Sequence, residues 1–332
     1  SVDFYHELEK ETGQTVGFSV VSNIRLASTE DRMDEYRYYA GVAQTVGVEV
    51  NFLTPEQVQE AWPMCNIDGL IGTIQHPDDG YIQPADLTQA LAKGARTRGA
   101  EIYRNTAVLD LEQQADDSWI VKTDKGDIHC EHVVCCTGNF ARKTGEMVGL
   151  DIPVIPVEHQ YIVTEEVPEI AAIIDAGGEH PHVMDPAGES YLRQEGRGLC
   201  IGFYEQPCRP WSINGTPWDF GHELLQPNLE QIADRLEFAC DRIPVLAEVG
   251  IRQAINGPFT FGPDGNPMIG PVPGMKNYWC AVGVMAGFCQ GGGVGLTMAE
   301  WMIDGEPSID VWAMDVARFG DWATPDWGMV KS

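Results

Sequence analysis

Several segments of the chain have the apolar spacing of amphipathic helices. The clearest runs from Pro84 to Arg98 and is followed by Gly99, a residue type that commonly ends a helix. The other predicted helices span residues 2–11, 28–47 and 228–242. A shorter helix is indicated by the capping box that begins at Thr54, because a proline occupies its first helical position.

Alternating and β-branched runs predict strands between these helices. Residues 106–111, 118–123 and 127–130 are joined by short polar turns, which predicts a small antiparallel meander. The meander leads into residues 132–138, which we interpret as a buried strand that ends in Thr-Gly and opens a helix. Further strand-like runs are residues 156–164, 191–204 and 250–255.

Glycines are concentrated in residues 283–295, between a strand-like run over 278–282 and a helix-like run that Gly305 ends. We predict that they form a strand-to-helix turn, where the backbone can come close to a bound group. A helix start near Gly291 would add unpaired N–H groups and the positive end of the helix dipole. The N-terminus of a helix can therefore bind an electron-rich or anionic group. A tight packing turn is the alternative.

The composition excludes several classes of partner. The net charge of −29 repels nucleic acid and anionic lipid, so we expect neither as a partner. No run of 18 apolar residues is present, so no membrane span is expected. The nine cysteines contain no CxxC pair and lie mostly in apolar runs, which indicates a reducing compartment. The histidines lack convincing metal-ligand spacing, and no metal site is expected.

The order of motifs near the end of the chain resembles the flavin-binding end of amine-oxidising FAD enzymes. Asn256-Gly257-Pro258 and Pro263-Asp264 precede the strand and the glycine-rich stretch. Together with Pro156-Val157-Glu158-His159-Gln160-Tyr161 and Tyr191-Leu192-Arg193-Gln194-Glu195, they make the chain similar to the dimethylglycine and sarcosine dehydrogenase family, within the D-amino-acid-oxidase-like superfamily.

The resemblance implies FAD as cofactor, with tetrahydrofolate as a further cofactor of a longer parent protein. It implies hydride transfer to the flavin from a small N-methyl amine such as dimethylglycine, and it leaves the electron acceptor open. A glycine or D-amino-acid type of FAD oxidase, and a non-catalytic fragment, are the alternatives. The expected compartment is the bacterial cytoplasm or the mitochondrial matrix.

The predicted fold class is α/β, with a discontinuous FAD domain of the two-dinucleotide-binding type and an α+β substrate domain built on an antiparallel sheet. We assign residues 85–150 and 255–310 to the FAD domain, and residues 1–80 and 151–250 to the substrate domain. Residues 311–332 would be a linker toward a folate-binding region. The G-x-G-x-x-G fingerprint of a pyrophosphate site is absent from the sequence, so we expect a piece of a larger enzyme, truncated at both ends.

The resemblance also implies site residues. His159 and Tyr191 are candidates for the catalytic groups beside the substrate amine, and Arg193 is a candidate for its carboxylate. The glycine-rich stretch carries Cys289-Gln290 where related oxidases carry a lysine, so carboxylate binding must come from elsewhere. The candidate flavin contacts are Val108, Thr137, Gly138, Pro258, Gly283, Met285, Gly287, Phe288, Gln290 and Gly291.

Overall fold

The fold is mixed α/β in a computed structural model that describes residues 2–221, 223–324 and Trp327. The α-helices are α1 (Val2–Thr12), α2 (Glu30–Thr45), α3 (Pro55–Ala61), α4 (Pro84–Thr97), α5 (Ala141–Glu146), α6 (Pro168–Asp175), α7 (Leu229–Arg242) and α8 (Gly287–Asp304). The strands are β1 (Ser19–Val20), β2 (Asn23–Ala27), β3 (Asn51–Leu53), β4 (Gly72–His76), β5 (Gly80–Tyr81), β6 (Val108–Gln113), β7 (Trp119–Thr123), β8 (Gly126–Cys130), β9 (Val133–Cys135), β10 (Ile155–Thr164), β11 (His182–Asp185), β12 (Ser190–Glu195), β13 (Gly198–Phe203), β14 (Ile251–Phe261), β15 (Met268–Pro271) and β16 (Tyr278–Val282).

Most of the predicted helices are present, and their caps explain their starts. Thr54 caps α3 through the predicted capping box, and Asn228 caps α7 by accepting a hydrogen bond from the Gln231 N–H. In α2, the Thr29 side chain accepts from the Arg32 N–H. No helix within the described part of the chain has the length and apolar character needed to cross a bilayer.

The largest sheet has eight strands in the order β14-β10-β13-β12-β11-β2-β4-β3. Every neighbouring pair is antiparallel except β11 and β2. Because successive side chains of a strand point to opposite faces, the sheet has two different faces. One is apolar; the other is polar and aromatic near its centre and packs on α2 through Ala27 and Ile74. The apolar face packs on α3, α6 and α7 in one core, whose sheet residues include Ile24, Ile162, Val183, Leu192 and Ile201.

Two smaller sheets share a second core. The meander β6-β7-β8 has the predicted antiparallel pairing, and β15-β16-β9 ends in the parallel pair of β16 with β9. Trp119 and Tyr278 lie buried between them. The domain assignment stays a prediction: β14 crosses its boundary at residue 255, and α1 packs on α4 across its boundary near residue 80.

Two details differ from the sequence-based expectations. The strand expected over residues 132–138 is shorter in the structure, where only β9 is extended. Since β9 is the edge strand of its sheet, Cys135 is buried but Val134 and Cys136 are exposed. The helix expected from about Gly291 begins at Gly287, after the N-cap Ala286. Backbone hydrogen bonds and the packing of Thr297 and Met298 outweigh the poor helix propensity of glycine.

Candidate active site

Tyr191 lies near the middle of the polar face of the eight-stranded sheet. It is opposite Gly202 of β13 on one side and Met184 of β11 on the other. A Cβ atom at Gly202 would lie 1.9 Å from Cζ of Tyr191, so only glycine lets the phenol ring lie over β13. Burial raises the pKa of Tyr191 well above its usual value, which keeps the hydroxyl protonated at neutral pH.

His159 joins Tyr191 to a buried carboxylate. Its Nε2 lies 3.2 Å from the Tyr191 hydroxyl, and its Nδ1 lies 3.5 Å from Oε2 of Glu205, a residue that is only 4% exposed. The other carboxylate oxygen accepts a hydrogen bond from the Gln160 N–H at 3.1 Å, which fixes its position. A carboxylate beside Nδ1 favours the tautomer with the proton on Nδ1, so that Nε2 can accept from the tyrosine. The three side chains therefore form a relay, Tyr191–His159–Glu205.

Aromatic rings surround the relay. The ring centroids of Tyr204 and Phe259 lie 5.7 and 5.2 Å from that of His159, and Tyr204 lies 5.5 Å from Tyr191. A cavity of about 260 Å³ opens beside His159, Tyr204 and Glu205. Faces of aromatic rings attract cationic amines, so this setting suits an amine substrate. Sequence reasoning missed Tyr204 and Glu205, which lie just after the end of β13.

Arg193, the predicted carboxylate ligand, lies on the same face as Tyr191, two residues along β12. Its guanidinium forms an ion pair with Glu195 at 2.5 Å and lies 5.9 Å from the centre of the Tyr81 ring. Because Glu195 already matches its charge, a substrate carboxylate would have to compete with that pair. The role of Arg193 stays a prediction.

Three further polar residues, which sequence reasoning missed, lie on this face. Nδ2 of Asn23 lies 2.9 Å from Nδ1 of His182, and Oδ1 of Asn23 accepts from Nε of Arg25 at 3.4 Å. Burial lowers the pKa of His182 to about 4, so its ring is neutral at pH 7. The parallel pairing of β2 with β11 brings these residues together across a long separation in sequence.

The start of α8 offers an open surface formed by glycines. Gly287, Gly291 and Gly295 follow one another at the spacing that shares a helix face, and a Cβ atom on any of them would meet no protein atom within 4 Å. The Ala286 N-cap supplies no side-chain hydrogen bond to the first turn. Oε1 of Gln290 is buried and has no partner among the described residues.

The glycines of this stretch do not share one backbone conformation. Among the predicted flavin contacts in residues 283–295, only Gly283 has a positive φ, at 64°. Gly287 and Gly291 have ordinary helical backbone angles. A side chain at Gly287 or Gly291 would therefore cause neither backbone strain nor a clash with the protein itself. A clash there could come only from a bound group.

Four of the ten predicted flavin contacts line two separate clefts. Val108 and Thr137 line a cleft of about 890 Å³ beside the meander, whereas Phe288 and Gln290 line one of about 530 Å³ along α8. The carbonyl of Pro258 accepts a hydrogen bond from Asn139 at 3.3 Å, which links β14 to the turn that follows β9. Of the remaining predicted contacts, Gly138 begins a short 3-10 helix after β9, and Gly283 and Met285 lie in the turn between β16 and α8.

The family profile described as "FAD dependent oxidoreductase" (DAO) matches residues 1–301. The chain belongs to this family. It is 40% identical over 337 residues to the mouse protein "Dimethylglycine dehydrogenase, mitochondrial" and 32% identical over 319 residues to the mouse protein "Sarcosine dehydrogenase, mitochondrial". These matches cover 100% and 94% of this chain, but only 38% and 34% of the two relatives.

Solved structures of related proteins share the fold of this chain. L-Proline dehydrogenase from P. horikoshii superposes with a TM-score of 0.80 at 25% sequence identity, over 96% of this chain and 81% of that one. These similarities confirm the predicted family, the mixed α/β fold class and FAD as the cofactor of the family. The chain spans less than half the length of the curated relatives named above.

Proposed function

We propose that the protein, with bound FAD, oxidises a small N-methyl amino acid such as dimethylglycine to an iminium, which water hydrolyses to formaldehyde and the demethylated amine. The observation that carries this proposal is the Tyr191–His159–Glu205 relay, in a ring of aromatic side chains on the polar sheet face. The names of the dimethylglycine and sarcosine dehydrogenase relatives support the substrate class.

The start of α8 fits the flavin ring. The glycine face leaves room for a flat group, the uncapped first turn offers N–H donors, and Oε1 of Gln290 is a buried acceptor in need of a partner. We assign Gly287, Phe288, Gln290 and Gly291 to this contact, where the positive end of the helix favours electron density. FAD, when bound, supplies the acceptor for the hydride of the N-methyl carbon.

The relay prepares the amine for this reaction. A tertiary amine is protonated in water at neutral pH, and its lone pair must be free before hydride can leave the methyl carbon. The Tyr191 oxygen takes the ammonium proton while its own proton passes to Nε2 of His159, so no phenolate forms. That route agrees with the raised pKa of Tyr191. The carboxylate of Glu205 then stabilises the imidazolium of His159 through Nδ1.

The cysteine pattern of the sequence favours a reducing compartment. Mitochondrial relatives support the matrix as the site of action if the host is a eukaryote, and the cytoplasm is the corresponding bacterial compartment. The proposed partners are one small N-methyl amine and an electron acceptor. We propose neither nucleic acid nor a membrane as a partner. In a longer parent, tetrahydrofolate would take the one-carbon unit in place of water.

A substrate panel tests the proposed function. The full-length, FAD-loaded parent protein is mixed with dimethylglycine, sarcosine, glycine or D-alanine, and flavin bleaching is followed together with formaldehyde and ammonia. We expect fast bleaching by dimethylglycine with one formaldehyde released per turnover. Ammonia from glycine or D-alanine, without formaldehyde from dimethylglycine, would instead assign the protein to the amino-acid oxidase class.

A further inference from the structure

Arg25 carries an unmatched charge on the polar face of the large sheet. Across residues 2–221 and 223–324, it is the only arginine that is not exposed and that has no carboxylate within 4.0 Å. Arg193 is paired with Glu195, and the buried Arg242 is paired with Asp185. A partly buried guanidinium gains from an anionic partner, and the described protein does not provide one.

A short chain of hydrogen bonds fixes the donors beside Arg25. Nε of Arg25 donates to Oδ1 of Asn23, which turns the Asn23 amide so that Nδ2 donates to Nδ1 of His182. Since the His182 ring is neutral, its proton is on Nε2. That Nε2–H is buried and has no partner among the described residues. A buried donor without a partner is costly, so this site is prepared for an acceptor.

These donors lie in the same cross-sheet row as Tyr191. Met184 is opposite both Tyr191 and Arg25, so Arg25 is two strands away from Tyr191, a Cα separation of roughly 10 Å. The His182 and Tyr191 rings meet edge to face with centroids 6.3 Å apart. The Arg25 guanidinium lies 5.8 Å from the centre of the Tyr39 ring of α2, and no carboxylate stands in that contact.

From these contacts we infer that the guanidinium of Arg25 and the Nε2–H of His182 bind the carboxylate of the substrate, with its amine at Tyr191. This inference rests on the proposed function, because it assigns the acid end of the N-methyl amino acid. A guanidinium presents two parallel N–H donors to a carboxylate. Unlike Arg193, Arg25 gives up no ion pair when it does so.

The test uses the FAD-loaded, full-length parent and two kinds of ligand. Dimethylglycine and N,N-dimethylethanolamine differ by the carboxylate, and (methylthio)acetate carries the carboxylate without a reactive amine. The rate of flavin reduction is measured against concentration for the two amines, and (methylthio)acetate binding is measured by the change in flavin absorption. The variants are Arg25→Met, Arg25→Lys, His182→Leu and the control Arg252→Met, which removes an equal charge from an exposed position on β14.

For Arg25→Met we expect affinity for dimethylglycine and (methylthio)acetate to fall about 100-fold, with the reduction rate by saturating N,N-dimethylethanolamine unchanged. For Arg25→Lys, which keeps the charge but loses the paired donors, and for His182→Leu, we expect losses of about 10-fold. Arg252→Met should leave every constant unchanged.

Wild-type affinity for (methylthio)acetate in Arg25→Met would overturn the inference. If that variant does not fold, wild-type affinity in both Arg25→Lys and His182→Leu would overturn it equally. A 100-fold loss in Arg193→Met, with none in the Arg25 variants, would give the role to Arg193. If no N-methyl amine bleaches the wild-type flavin, the proposed function fails, whereas the (methylthio)acetate comparison still decides whether Arg25 binds a carboxylate.

Discussion

At the scale of single residues, the relay makes His159 the group whose loss should separate catalysis from stability. His159→Ala in the parent enzyme should slow flavin reduction by dimethylglycine about 100-fold, because the proton acceptor for Tyr191 is lost. The melting temperature should change little, since the side chain lies on the polar face outside the core clusters. His129→Ala, at an exposed position of β8, is the control. An unchanged reduction rate would show that His159 has only a structural role.

Also at this scale, His182 should make the fold sensitive to acid. Its folded-state pKa of about 4 lies below the ordinary value of 6.5, so the unfolded chain binds more protons between these values and stability falls as the pH drops below 6.5. Between pH 7 and pH 5 this group should cost about 2 kcal/mol. We expect denaturant unfolding of His182→Gln to show a pH dependence smaller by that amount. Parallel curves for the two proteins would contradict the assignment.

At the scale of elements, α8 accepts glycines that a helix does not favour. Gly291→Ala should stabilise the cofactor-free protein by about 0.5–1 kcal/mol, because the new methyl group meets no protein atom and the unfolded chain loses freedom. The same change should lower FAD content or alter the flavin potential, because the open face would be filled.

Gly41→Ala in α2 is the matched control for this helix. Gly41 is helical and exposed, and a Cβ atom there also meets nothing within 4 Å, so it should give the same gain in stability with FAD content unchanged. Wild-type FAD content, flavin potential and reduction rate in Gly291→Ala would show that the flavin does not bind at this face. The larger Gly291→Val should give a folded protein with a stronger loss of flavin.

At the scale of the whole molecule, cofactor affinity should depend on the pyrophosphate-binding G-x-G-x-x-G fingerprint, which this sequence lacks. We expect the 332-residue chain, produced alone, to bind FAD weakly or not at all, and the full-length parent to carry it stoichiometrically. Flavin absorbance after gel filtration, taken with a binding titration, measures both. If the 332-residue chain bound FAD tightly and stoichiometrically, the glycine face of α8 and the cleft beside the meander would be sufficient for binding.

The sequence by itself determined the local elements and the family. Helices with caps and a clear apolar stripe, such as α3 and α4, were predictable because their signals are local. The meander was predictable because short polar turns join its strands. The resemblance also named His159 and Tyr191. The start of α8 was predicted wrongly, because glycine propensity is a weak local signal that tertiary packing outweighed.

Only the tertiary structure decided which side chains meet. His159 and Tyr191 come from strands that the register of β10, β13 and β12 sets side by side, and Gly202 leaves the space between them. Arg25 reaches the same row through the pairing of β2 with β11, far apart along the chain. Such pairings depend on long-range burial of one sheet face, and no local pattern encodes the partner strand. The sequence suggested that Arg193 could bind a substrate carboxylate, whereas in the fold its guanidinium forms an ion pair with Glu195.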